Sequence, residues 1–158
     1  MNFEEWQNGV SESKRADALW RMSVYRYALF IGDVGWHDVT KLQQDRRTYG
    51  VSDQLYRVLG SISANIAEGY SRGSNKERAH FYEYSPGSAR ESRDWYHKSR
   101  HVLGEKIVEH RMSMLVEVIR LLLTMIPDQR GRKIQEEQAS YSAESSLAIL
   151  LTDIPIAE

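Results

Sequence analysis

One stretch constrains this chain more than any other: Tyr49–Arg93, YGVSDQLYRVLGSISANIAEGYSRGSNKERAHFYEYSPGSARESR. Val51, Leu55, Val58, Leu59, Ile62 and Ile66 recur at spacings of three and four, the signature of a helix with one buried face. Ser52 is expected as its N-cap, with Asp53 in the first turn where the helix dipole favours an anion. Gly69 is expected to end it as a left-handed C-cap. Only Tyr70–Gly73 then separates it from the next helix, so the chain must run back antiparallel. Ser74 with Glu77 three residues on forms a capping box that opens that helix at Asn75. The stretch holds no nucleophile–base pair, no strong metal cluster and no phosphate loop.

The flanking segments extend the pattern. Residues 1–12 carry no periodicity and are expected as a loose arm. A first helix is expected over Ser13–Ile31, where Leu19, Met22, Arg26, Leu29 and Phe30 form one stripe and Trp20, Tyr27 and Ile31 another. Gly32 and Gly35 are expected to break it, leaving Trp36–Arg47 as a short helix or ordered connector. The helix after Ser74 places Phe81, Ser85, Ser88 and Ala89, Ser92, Trp95 and Tyr96, Ser99, Val102 and Leu103 inward. Pro86 within it costs about 3 kcal/mol and removes one hydrogen bond. The apolar spacing stays in phase across that proline, which argues for a kink rather than a break. A fourth helix is expected over Lys106–Ile126, stopped by Pro127. Val108, Leu115, Val118, Leu122 and Met125 form one stripe; Ile107, Met114 and Leu121 form a second at heptad spacing. Two stripes exceed what one intramolecular neighbour covers, and such surplus marks contact with another chain. The arrangement expected is an all-α helical bundle over residues 13–127, its second and third helices antiparallel. Residues 128–158 form an acidic, partly disordered tail that holds a short helix or a peptide ordering on binding.

Composition agrees. With 158 residues, 41% hydrophobic and 27% charged, the chain is long enough for one real core and is neither disordered nor membrane-like. It has no cysteine, so disulfides and thiolate metal sites are excluded. The N-terminus lacks the apolar core of a secretory signal, and no apolar run approaches the ~20 residues of a membrane span. A cytoplasmic protein is expected. The net charge of −1 is unevenly spread: residues 72–111 carry nine Lys/Arg against six Asp/Glu, residues 128–158 three against six. A basic middle offers an anion-binding face, although a solvated helix carries such charges anyway.

Three constellations bear on chemistry. Asn65 and Glu68 lie one turn apart beside the buried stripe, with Glu68 in the last turn, where an anion needs a partner. Glu68 reads as a fastener of the hairpin, through Arg72 or the N–H groups of the turn, rather than as a catalytic base. Asp94, His97 and His101 share a helix face with Glu105 next, but this is not an HExxH pattern and no second element supplies ligands, so a solvated face is expected. The basic set Arg72, Lys76, Arg78, Arg90, Arg93, Lys98 and Arg100, with Arg57 on the preceding helix, is interleaved with Tyr70, Tyr82 and Tyr96. Such cations neutralise phosphates and such tyrosines stack on unpaired bases. No established nucleic-acid motif accompanies them.

The residues Tyr49-Gly50-Val51, Gln54-Leu55, Arg57, Ser61-Ile62 and Asn65-Ile66-Ala67-Glu68-Gly69, followed by Ser74, Lys76-Glu77, Phe81 and Gly87-Ser88-Ala89 with Glu91, match a specific pattern. It closely resembles the signature of small four-helix-bundle proteins encoded within intervening sequences of large-subunit ribosomal RNA genes. That family includes the accessory variability determinant of diversity-generating retroelements. About 110 residues, Ala16–Ile126, follow its layout; Pro86 and Ser92 depart from it. The resemblance implies an up-down bundle assembling into a homopentameric barrel, with Asn65, Glu68, Gly69 and Gly87 as motif positions. It also implies, for the retroelement member, nucleic-acid binding beside a reverse transcriptase.

The expected function is therefore a non-enzymatic oligomeric bundle without cofactor or metal, binding RNA or DNA through Arg72, Lys76, Arg78, Arg90, Arg93 and Arg100, as a reverse-transcriptase accessory. The other reading is a protein-interaction scaffold without nucleic-acid binding. An enzyme is not expected, because nucleophile, base and electrostatic stabiliser cannot be assembled from neighbouring positions.

Overall fold

A computed structural model describes residues 2–130, 143–152 and 154–157, with side chains described for 2–127, 147–152 and 154–157. The described residues form seven α-helices: α1 (Phe3–Gly9), α2 (Glu12–Arg15), α3 (Ser23–Leu42), α4 (Tyr49–Tyr70), α5 (Asn75–Leu103), α6 (Glu105–Arg130) and α7 (Ala143–Thr152). The four long ones, α3 to α6, are the bundle. Consecutive members pack on one another through short turns, and α3 meets α6 to close the ring.

The turns are set by local chemistry. Between α3 and α4, Asp45 accepts from the Arg47 N–H at 3.0 Å, and the buried Thr48 hydroxyl donates to the carbonyls of Leu42 at 2.5 Å and Asp45 at 2.9 Å. Between α4 and α5, the Ser74 hydroxyl accepts from the Glu77 N–H at 3.2 Å as an N-cap and donates to the Glu77 carboxylate at 2.8 Å, where the expected capping box would have that carboxylate accept from the Ser74 backbone N–H. Between α5 and α6 the chain turns on Gly104 alone, whose φ of 84° favours glycine.

Several boundaries differ from the sequence reading. The expected first helix does not start at Ser13, where α2 and a 3-10 turn over Ala18–Arg21 stand; helix α3 begins at Ser23 and runs through both Gly32 and Gly35 to Leu42, so the expected break is absent and the first half of the expected connector belongs to this helix. Gly35 marks a close approach: a Cβ there would collide with the Leu59 side chain of α4. A glycine can therefore sit in a helix because a neighbour needs its space. The same holds at Gly69, which lies inside α4 rather than capping it; an added Cβ would come 2.7 Å from the Tyr82 ring. Ser52 is likewise inside α4, its hydroxyl donating to the Tyr49 carbonyl at 2.7 Å. Pro86 is buried in an unbroken α5, as the in-phase spacing suggested. Pro127 does not stop α6, which continues to Arg130.

The N-terminal arm is a packed element, not a loose one. Asn2 and Glu5 make a reciprocal capping box for α1, and Trp6 is buried against Phe30 with its indole N–H donating to Asp33 at 2.6 Å. Two aromatic anchors in a heptapeptide, Phe3 and Trp6, outweighed its missing periodicity. Of the tail, residues 131–142 and the acidic stretch within them lie outside the described residues. Helix α7 is the short helix foreseen there, and Ile154 beyond it is buried in the core.

The core runs through Phe30, Ile31, Val34 and Leu42 of α3, Leu55, Leu59, Ile62 and Ile66 of α4, Ala89 and Tyr96 of α5, and Leu115, Leu122 and Ile126 of α6. Ser85, Ser92 and Ser99, one per two turns of α5, are fully buried. Ser85 donates across to the Ile62 carbonyl at 3.0 Å, so the small residues do allow close helix approach. The second stripe of α6 is covered more than expected: Met114 is buried, Ile107 and Leu121 are half-buried, and α7 packs on this helix. No helix among the described residues is long and apolar enough to cross a membrane.

Candidate functional site

The sequence-derived basic set lies on α5 and its preceding turn, but it does not form one free cationic face. Arg72 pairs with Glu68, and its guanidinium stands over the Phe81 ring at 4.4 Å. Arg78 donates to the Arg72 carbonyl at 3.0 Å, and Arg100 to the His97 carbonyl at 2.8 Å. Arg78, Arg93 and Arg100 are half-buried on the flanks of α5, whereas Lys76, Arg90 and Lys98 are exposed on its outer side. Glu91 and Asp94 share that outer side. The cations are thus partly committed to holding the hairpin, and the acids among them thin the positive field.

The motif residues make mostly local contacts. Glu68 takes Arg72 as its partner, as expected, but on the surface rather than in the core, with about half of its side chain exposed. Asn65 donates to the Ser61 carbonyl one turn back at 2.8 Å. Gly87 faces open space, so no steric need fixes it. Asp94, His97 and His101 are exposed, and no group of three or more metal-ligating side chains occurs among the described residues.

Two surface features are richer than the cation count. On the α4–α5 hairpin, Tyr84 is 50% exposed, its hydroxyl 3.1 Å from His80 Nε2, and both rings stand edge-on to Phe81. With Ser61, Asn65, Glu83, Gly87 and Ser88, Phe81 and Tyr84 line a shallow depression of about 500 Å³. On the α3–α4 side, Trp36 and Tyr56, 57% and 46% exposed, meet edge-to-face at 5.6 Å beside a cleft of about 360 Å³.

The largest polar feature is one the sequence reading missed. Asp38 of α3, Tyr96 of α5 and Arg111 of α6 meet in the core, all fully buried. Arg111 donates Nε–H to Asp38 Oδ2 at 2.8 Å and Nη2–H to Oδ1 at 3.1 Å, a bidentate pair, while Tyr96 donates to Oδ2 at 2.8 Å. Arg111 also donates to the Pro155 carbonyl at 2.6 Å. Its Nη1 lies 2.9 Å from His110 Nδ1; a guanidinium has only donors, so Nδ1 accepts, and Nε2–H is left to donate to the Leu150 carbonyl at 2.9 Å. Burial, then the Asp38 charge, push the Tyr96 phenol well above its usual range. No substrate reaches a triad this enclosed, so its chemistry is cohesion: it joins three helices and the C-terminal segment through one charge. A signal for it existed. Asp38 falls between Val34 and Leu42, and Arg111 between Val108 and Leu115, each a charge on its helix's apolar stripe.

No curated protein and no solved structure matches the chain. A family model described as 23S rRNA-intervening sequence protein matches residues 23–124. That match opens on the first residue of α3 and closes within α6, so it covers the four bundle helices and leaves out α1, α2 and α7. With well over half of its length matched, the chain belongs to the family of 23S rRNA-intervening sequence proteins.

Proposed function

We propose that this protein is a non-enzymatic, homo-oligomeric helical bundle that binds unpaired RNA or DNA on its α4–α5 face. The observation that carries the reading is the exposed pair of His80 and Tyr84, edge-on to a half-buried Phe81 under the Arg72 guanidinium, with Lys76 and Arg90 exposed on the same helix. Aromatic faces take bases of any sequence while cations track the backbone, and each stacked base contributes about 1–3 kcal/mol. A single subunit offers few free cations, so copies in a ring, five by the family resemblance, supply the missing affinity by avidity. Service to a reverse transcriptase is proposed on that resemblance alone. The test is binding of a labelled RNA hairpin with an unpaired loop, followed over a salt series. The reading expects affinity that falls with salt and drops about tenfold or more on Tyr84→Ala with Lys76→Glu. Absence of binding at ~50 mM salt would remove it.

The second reading, a protein-interaction scaffold, is favoured by one observation: Arg72, Arg78 and Arg100 already serve partners within the chain. It expects no nucleic acid to accompany the purified protein.

A further inference from the structure

The C-terminal segment does not merely follow the bundle; it is bound by it. Leu150 presents its carbonyl to His110, Pro155 presents its carbonyl to Arg111, and Ile154 between them is buried to 8% exposure. Leu150, Leu151, Ile156 and Ala157 pack against the same core. This is peptide recognition in miniature: backbone carbonyls are read by donors, and an apolar side chain fills the space between. The donors are preorganised. Arg111 is held by both oxygens of Asp38, and its remaining N–H groups are aimed at His110 and the tail.

Two further facts separate the groove from its occupant. His110, Arg111 and Asp38 all lie within the family-matched residues 23–124, while every residue of the bound segment lies outside them. Residues 131–142 give twelve residues of sequence between α6 and α7, a reach of up to ~40 Å when extended. None of the contacts depends on the segment belonging to the same chain. Helix α7 meanwhile leaves Ile149 65% exposed, the most exposed large apolar side chain among the described residues.

We propose that the Arg111–His110 groove is a peptide-accepting site for the segment 147–157, able to take it from a second copy of the chain. Copies can then exchange tails, which links them through a specific contact. In one isolated chain the covalently attached tail fills the groove and outcompetes free peptide, because tethering gives it an effective concentration near millimolar.

The experiment uses a dye-labelled synthetic peptide of residues 143–158 and fluorescence anisotropy with full-length protein. Ile154→Asp in the full chain should release its own tail, so this variant binds the wild-type peptide at least about tenfold more tightly than the wild-type chain does. The same variant should bind a peptide carrying Ile154→Asp at least about tenfold more weakly than the wild-type peptide. Ile154→Ala in the full chain, which adds no charge to a core position, should give the same ordering and covers the case in which the aspartate variant fails to fold. Equal affinity for the two peptides, equal affinity of wild-type and variant chains, or no binding to either variant would overturn the proposal.

Discussion

Replacing Arg111 by methionine removes the cation that neutralises the fully buried Asp38. The carboxylate would keep one partner, the Tyr96 hydroxyl, and lose both guanidinium bonds. Breaking a buried ion pair from one side costs about 3–5 kcal/mol, because the surviving charge remains desolvated. Against a total stability of about 5–15 kcal/mol for a domain, that is a large fraction. Asp38→Leu strands the guanidinium in the same way. The double variant Asp38→Leu/Arg111→Met carries neither charge. It loses the Pro155 contact and leaves the Tyr96 hydroxyl unpaired, a penalty of about 1–3 kcal/mol, partly offset by apolar packing. The double variant should therefore be more stable than Arg111→Met alone, with a coupling of at least about 2 kcal/mol between the sites. Urea unfolding followed by tryptophan fluorescence, at one fixed protein concentration because the proposed assembly would contribute to stability, measures the cycle. Additive losses, or single losses below about 1 kcal/mol, would refute the claim that this pair ties α3 to α6.

Three other perturbations separate residues that look alike in the sequence. Glu68→Ala should lower stability by less than about 1 kcal/mol in a thermal melt, because its pair with Arg72 is half in solvent. Gly69→Ala should cost about 1–3 kcal/mol through collision with Tyr82, whereas Gly87→Ala, facing open space, should raise the melting temperature by an amount worth about 0.4–1 kcal/mol. Tyr96 should resist ionisation in an ultraviolet titration until the chain unfolds. Because its phenol ionises less readily folded than unfolded, its contribution is intact below pH ~10 and is lost as pH rises above that value. A Tyr96→Phe chain whose alkaline stability profile matched the wild type would contradict this.

What could be read from the sequence was what repeats. The stripe Leu55–Leu59–Ile62–Ile66 gave α4 its buried face, and Ser74 with Glu77 gave α5 its first residue. Both are local signals, settled within a turn or two of chain. What escaped depends on partners far away in sequence. Gly32 and Gly35 looked like breakers because glycine weakens a helix on its own, but Leu59 on the next helix occupies the space a side chain at Gly35 would need. Pro127 looked like a stop, yet the final turns of α6 tolerate the single hydrogen bond it removes. The arm failed the periodicity test because seven residues are too few to show a period, while Trp6 and Phe3 still reach Phe30. In the candidate interface, the identity of the cations was legible but their employment was not. Arg78 and Arg100 look like phosphate ligands until the carbonyls they serve come into view. The Asp38–Arg111 pair bridges 73 residues and becomes visible only once α3 and α6 are known to touch.

Assembly is the premise on which the proposed binding rests, since one subunit presents few uncommitted cations and several exposed rings: Trp36, Tyr49, Tyr56, Tyr70 and Tyr84. Light scattering on the full-length chain after size exclusion, over a range of concentrations down to the submicromolar, measures the mass directly. The account predicts a closed oligomer, five times the 18.3 kDa of the chain, that persists on dilution. A folded species of 18.3 kDa at every concentration would contradict it.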